Sequence, residues 1–534
     1  MRSSLLIFGK AKNPPWATVG SSVVFVASLS LIWILVVFDW WAMDFWHTND
    51  EYAFLSLSHA INFEATLREH ARFSDSGLGN HPGIPFYVVS WLCFRVASLI
   101  SGDGGDRIVW VLSDPGLFYL ATRIAAATIA AAAAALTYAT FSPLAPWKRL
   151  LAISTFFAAD PWSVLYGLTS ISNETFAFPL AALFFWATRK LFSEDRLSLW
   201  AVAGIVSAAG YLVKLNYLWA FVGFCAVALL GLVDAGVSRS RIIGTLIRLA
   251  ILTVVFLTTV ALFVLLFAGL NGVKELTAGH FVFLSRMLIA LAGHSSDPHA
   301  FDFRKMVTDT PFLLPAIISV GFSIHVLMNT RRSENRATRM WCATAVIVFA
   351  VAFLAVAGNY TQRYLPAACA ILPFLWKPLI DKKLPLIACI LTTIVSGGCT
   401  IYLTRSERLA MSEQMNAGKV DEAIIIGMPL APGEARLWTY SLANKQFFSE
   451  FTLQMAGLQD YVHGRETRPA TDYSSYQRVD RPYRYILVDR TRHPASSDGT
   501  VKSFSDPNGM PIPAEEALSV RQLTSTTVLE MKPR

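Results

Sequence analysis

Apolar runs of about 20 residues recur along roughly the first three quarters of this 534-residue chain, and each is long enough to cross a hydrocarbon core about 30 Å thick. In hydrocarbon every backbone N–H and C=O needs a partner within the protein, so such runs fold as helices. The chain therefore reads as an α-helical polytopic membrane protein. Composition points the same way: 54% of residues are hydrophobic, 15% are charged and mean hydropathy is +0.46, which excludes a soluble enzyme.

The formal charge of +8, from 45 Lys and Arg against 37 Asp and Glu, raises the question of a nucleic-acid partner. Placement answers it. The basic clusters fall in short loops between apolar runs, where positive charge marks the cytoplasmic side, so no nucleic acid is implied. The six cysteines (Cys93, Cys225, Cys342, Cys369, Cys389 and Cys399) all lie in apolar stretches without metal-ligand spacing and read as small packing residues. None follows residue 403, so the tail carries no disulfide framework. The first run, about 16–38, is too long for a signal h-region and lacks a small-residue cleavage site, so it is expected to remain as an anchor.

Lys and Arg placement sets the threading. Arg2, Lys10 and Lys12 put the N-terminus inside, and an acidic first external loop follows over about 39–116. Within it, residues 84–100 are apolar, but a crossing there would put Lys148 and Arg149 outside and invert every later loop. With Pro85, Arg95 and its short length, the segment reads as re-entrant or interfacial, spanning being the alternative. Eleven spans then place every basic cluster on one side, at about 17–38, 117–139, 150–168, 175–189, 198–213, 216–234, 249–269, 311–329, 340–357, 364–380 and 384–402. Residues 1–402 form the membrane domain, and residues 403–534 a small external α/β domain with strands expected at 423–429 and 483–489.

This threading gathers polar groups at the outer membrane face. Asp50 and Glu51 follow the first span in HTNDEY, where a carboxylate can accept a proton from an attacking hydroxyl or, more simply, open a helix. His81 sits in the turn sequence GNHPGIPFY, either to hydrogen-bond a sugar or phosphate or to serve the turn itself. Glu174, in SNETF, enters an apolar helix, a costly position unless it faces water or a partner; the alternative is a first-turn acid beside Ser172 and Asn173. Arg123, Lys214 and Arg363 run against the positive-inside trend, and either bind an anionic phosphate or snorkel to lipid headgroups. The external loop 270–310 holds His280, Arg286, His294, Asp297, His299 and Asp302, and reads as a flexible substrate loop rather than a metal site because its spacing fits no strong ligand pattern.

In order along the chain, these residues resemble the GT-C fold glycosyltransferases that use polyprenyl-phosphate sugars, especially the branch of protein O-mannosyltransferases and lipid A aminoarabinose transferases. Asp50-Glu51 is similar to that family's acidic pair, and His81-Pro82-Gly83 to its His-Pro-Pro element with Gly83 in place of the second proline. Arg123 resembles its arginine, Glu174 its second acid (more often Asp), Lys214 its lysine, and Arg363-Tyr364-Leu365-Pro366 its Arg-Tyr-x-x-Pro element. The resemblance covers roughly residues 16–400 and says nothing of the sugar.

It implies transfer of a sugar, with inversion, from a polyprenyl-phosphate donor to a glycolipid such as lipopolysaccharide, a polysaccharide or a protein. Asp50 and Glu51 would be catalytic, with Asp50 the base; His81, Arg123, Glu174, Lys214, Arg363 and Tyr364 would bind substrate. No cofactor is expected and metal independence is the default, since neither a Walker A pattern nor a Rossmann fingerprint occurs. The expected location is a bacterial inner membrane, with the N-terminus cytoplasmic and the C-terminal domain periplasmic. The rival reading is a transporter or flippase of lipid-linked saccharides, which midplane charges and internal repeats would favour.

Overall fold

A computed structural model describes residues 60, 63–64, 83–100, 107, 111, 116–159, 171–194, 196–291, 313–329, 336–357, 365–430, 435–438, 483–489, 504–505, 511–512, 517–524 and 526–531. The chain divides into two compact units: Gly77–Phe86 and Arg123–Thr404 belong to the first, Tyr87–Thr122 and Arg405–Arg534 to the second. The expected first loop is thus divided between the two units, Gly77–Phe86 going with the helices and Tyr87–Thr122 with the tail.

Helices dominate. In order they are α1 (Ile84–Ile100), α2 (Gly116–Thr140), α3 (Pro146–Ala159), α4 (Ala177–Glu194), α5 (Leu197–Val213), α6 (Trp219–Ala235), α7 (Arg239–Leu291), α8 (Leu313–Asn329), α9 (Arg336–Ala357), α10 (Pro366–Cys369), α11 (Leu372–Trp376) and α12 (Lys383–Ile426). Among the described residues five helical stretches are long and apolar enough to cross a membrane: Leu117–Thr140, Leu215–Asp234, Arg239–Phe267, Arg336–Ala355 and Lys383–Leu403. Shorter apolar helices cover Ile84–Ile100, Leu197–Val213, Leu313–Asn329 and Pro366–Trp376. The chain has the helical architecture of a membrane protein.

Several expectations change. Helix α4 runs through Arg189 and Lys190, and α3 begins at Pro146, ahead of Lys148 and Arg149, so these basic clusters ride on helix ends rather than in loops. Pro146 opens α3 without loss because a first-turn N–H has no intrahelical partner. The 270–310 loop is helical as far as Leu291, since no proline interrupts α7. Similarly, α12 continues past residue 402 to Ile426: hydropathy falls there, but the next proline is Pro429. The strand expected at 423–429 is therefore the end of a helix. The span expected at 364–380 is broken into α10 and α11, because Pro366, Pro373 and Pro378 each lack a donor. The span expected at 17–38, and residues 160–168 of the one expected at 150–168, lie outside the described residues.

The first unit is held by aromatic and small-residue packing. Phe374 stacks on Phe185 with centroids 4.1 Å apart, Phe141 meets Phe374 edge-on at 5.3 Å, and Phe156 stacks on Phe178 at 4.4 Å. The Trp341 indole N–H donates to the Phe374 carbonyl at 2.9 Å, which ties α9 to α11. Helices α5 and α7 approach so closely that a Cβ on Gly204 would lie 2.9 Å from the Leu252 carbonyl oxygen and from the Val255 Cβ. Without a hydrophobic force between helices in lipid, such small-residue contact is what dispersion needs.

In the second unit, Tyr483–Asp489, the strand expected there, is β2 of a four-stranded sheet. Strand β1 (Ala435–Trp438) pairs with it in parallel; β5 (Ala517–Gln522) and β6 (Thr526–Met531) follow on the other side, in the order β1-β2-β6-β5. A short pair, β3 (Phe504–Ser505) and β4 (Pro511–Ile512), stands apart. The end of α12 completes the core, Ile425 packing with Tyr485, Leu487, Leu523 and Val528. Buried Asp421 accepts the N–H groups of Thr524 and Thr526, each at 2.9 Å, and fixes the β5–β6 turn to the helix.

Gly204→Val should overpack the α5–α7 contact and destabilise the protein by about 1–3 kcal/mol. The check is a lower thermal midpoint in detergent, against an unchanged midpoint for Gly244→Ala, where a Cβ meets nothing within 4 Å.

Candidate functional site

The chain between α5 and α6 is five residues long, 214–218, and begins at Lys214. Its extended backbone (φ −166°, ψ 144°) ends α5, and a 3₁₀ turn, Leu215–Leu218, leads into α6. A lysine here would be expected to reach water. Instead its side chain is buried, and its Nζ lies 2.6 Å from Glu174 Oε1, itself buried. Snorkelling does not describe Lys214. Two charges leave the solvent together only where their attraction and hydrogen bonding offset the loss of hydration.

Glu174 sits in a second 3₁₀ turn, Asn173–Phe176, directly before α4. Ser172 opens that turn; its N–H donates to Thr175 Oγ1 at 2.9 Å. Glu174 is thus in a first turn, as the simpler alternative holds, but its oxygen serves Lys214. Gly210, one turn before Lys214, favours the pairing: a Cβ there would fall 2.7 Å from Leu180 Cδ2 and 3.2 Å from the Tyr217 carbonyl, so α5 lies close on α4 with the Leu180 side chain filling the glycine's space. The Tyr217 hydroxyl donates to the Asn173 carbonyl at 3.4 Å, joining the two turns.

Among the described residues two acceptors in this cluster are buried without a hydrogen-bond partner: Glu174 Oε2 and Asn173 Oδ1. Orphaned buried oxygens are rare, and these two can accept from a donor that enters the cluster. Their chemistry suits a hydroxyl, an amine or water.

The His81-Pro82-Gly83 element reaches the same place through its glycine. The Gly83 N–H donates to the Val213 carbonyl at 3.3 Å, one residue before Lys214. Gly83 has φ +56°, a conformation proline cannot adopt, and uses a donor that proline lacks. That accounts for glycine where the resembling pattern has a second proline.

Arg123 is buried, at 5% exposure, on α2, so it too does not snorkel. The Arg363-Tyr364 element leads into buried Leu365 and α10, which packs on α4. Asp50, Glu51, His81, Arg363 and Tyr364 themselves lie outside the described residues.

Among the described residues the structure therefore joins Glu174 and Lys214 directly and bonds the Gly83 N–H to the residue before Lys214. Asn173 and Tyr217 belong to the cluster and were not singled out from sequence as binding groups; their signal was adjacency to the two charged residues. Among the described residues no group of three His, Cys, Asp or Glu side chains comes together that could hold a metal ion. Neither a protein-family model nor a curated protein matches the chain.

Glu174→Gln and Lys214→Met should each cost about 3–5 kcal/mol by stranding a buried charge, and the double variant should recover most of the loss. Unfolding midpoints of the three variants in one detergent test this. Gly83→Ala should cost about 1–3 kcal/mol through its positive φ, and Gly83→Pro more, through the lost donor; equal midpoints for the two would refute the role of the N–H.

Proposed function

We propose that this chain is an integral membrane glycosyltransferase that moves a sugar from a polyprenyl-phosphate donor to an acceptor hydroxyl or amine at the external face, with inversion. Its main support is the buried Glu174–Lys214 pair at a helix break, with one carboxylate oxygen and the Asn173 amide oxygen left as acceptors and the Gly83 N–H bonded alongside. A flippase carrying its cargo through the bilayer has no evident use for a charge pair locked by two 3₁₀ turns.

In this reading the acceptor oxygen attacks the anomeric carbon as the bond from that carbon to the donor phosphate oxygen breaks on the opposite face. Asp50 takes the acceptor's proton and Glu51 orients the acceptor. Polyprenyl phosphate leaves with the bonding electrons, and Arg123 and Arg363 stabilise its charge, Tyr364 holding the arginine element in place. Because Lys214 and Glu174 neutralise each other, Lys214 serves to aim Glu174, whose free oxygen accepts from the sugar's hydroxyls together with Asn173. His81 completes the donor contacts. The external face, the bacterial inner membrane and the periplasmic tail belong to the same proposal.

The test is transfer of labelled sugar from a panel of polyprenyl-phosphate donors to membrane extracts by the purified chain. Wild type should transfer from at least one donor and Asp50→Asn should lose about 10²–10⁴-fold in rate, the usual contribution of a positioned base. Undiminished transfer by Asp50→Asn would remove Asp50 as base; movement of lipid-linked saccharide across liposomes without transfer would replace the enzyme by the transporter reading.

A further inference from the structure

Helix α1 packs one face and leaves the other open. Phe86, Cys93, Phe94 and Ala97 are buried, whereas Leu92, Val96, Leu99 and Ile100 are 48–71% exposed. Steps of four, three and one set these four on one stripe of an α-helix, and half-buried Val88 and Val89 continue it toward the helix start. No polar side chain falls on the stripe. The polar groups stand along its border, where Trp91 and Arg95, one turn apart, meet the same buried carboxylate. The Trp91 indole N–H donates to Glu64 Oε2 at 2.9 Å, and Arg95 Nε lies 2.8 Å from that oxygen. The Arg95 guanidinium is 5.3 Å from the Trp91 ring centroid, and Ser98 Oγ donates to the Arg95 carbonyl at 2.8 Å.

A contiguous exposed apolar surface marks an interaction site. A protein partner would meet a polar rim and hydrogen-bonding groups there, and the stripe has neither; hydrocarbon requires neither. Its place in the chain agrees. Helix α1 sets out from Gly83, whose N–H is bonded to the last residue of α5, an apolar helix packed on the candidate span Arg239–Phe267. The 17 residues of α1 rise about 25 Å, short of a hydrocarbon core about 30 Å thick. A crossing would also carry Arg95 and Glu64 into hydrocarbon, a costly place even for a pair. In a helix lying along the surface, Trp91 and Arg95 share one depth, the headgroup level at which such side chains collect.

We propose that α1 lies along the bilayer surface without crossing it, seats Leu92, Val96, Leu99 and Ile100 among the acyl chains of one leaflet, and so docks the second unit, to which Tyr87–Thr122 belongs, on phospholipid. This surface does not rest on the proposed transfer.

The fluorescent residue acridonylalanine, placed at 92, 96, 99 or 100, one position at a time in the full chain, tests the proposal in dioleoylphosphatidylcholine vesicles. Nitroxides at shallow and deep acyl positions of the lipid read its depth by quenching. All four positions should be quenched by lipid nitroxide and lie within about 3 Å of one depth, because one stripe of an in-plane helix keeps one height. A crossing or re-entrant helix would separate positions 92 and 100 by about 12 Å, and that gradient would overturn the proposal. Quenching of the stripe by aqueous iodide would overturn it as well, as would protection from both quenchers, the sign of a covering protein or second copy. The four side chains are exposed, so the variants should keep the wild-type thermal midpoint; Val89 replaces any position whose variant fails to fold.

Discussion

The first unit depends on one ion pair. Lys214 and Glu174 stand where two helices break, and each would be an uncompensated charge among apolar side chains without the other. Their pairing requires α5 to meet α4 closely, which Gly210 permits, and it requires both helices to stop in 3₁₀ turns at one level, which Ser172 and the extended Lys214 backbone provide. Packing in lipid gains little from apolar contact as such, so a fixed electrostatic contact does much to set how these helices register.

The two ends of the same helices are electrostatically different. Around Glu174 and Lys214 opposite charges meet and cancel; at the other end Arg189 donates to the carbonyls that close α2, and Arg149 and Lys377 lie over the Tyr138 and Trp341 rings. Helix α4 carries both, with Glu174 just before its first turn and Arg189 near its last. The division follows from which side chains each helix end presents.

Much of this was legible in the sequence wherever hydrophobic length decided the outcome. The bounds of α2, α5, α8 and α9 fall within a few residues of the expected spans, because an apolar run flanked by charges or turns has one reading. Where hydropathy and helix propensity part company, the sequence misled: α7 and α12 run on through polar stretches that contain no breaker, and the prolines around 366–378 divide an apolar run that composition alone would leave whole. Strand and helix ends were confused at 423–429, since a four-residue apolar run has no period of its own. At the site, Glu174 and Lys214 were visible as misplaced charges, but that they belong to each other was not, because forty residues separate them and only the helix crossing brings them together.

Gly83 shows why motif wording is a poor guide to this region. A second proline would stiffen the turn before α1, but it would also remove the donor that the Val213 carbonyl receives and forbid φ +56°. Glycine satisfies a different set of demands at the same position, with the turn held by a hydrogen bond from outside rather than by a ring within. The bond ends one residue from Lys214, so the segment carrying His81 is tied to the charge pair through backbone, which any side chain at 213 would leave intact. A geometry held by main-chain contacts tolerates change in the residues that name a motif.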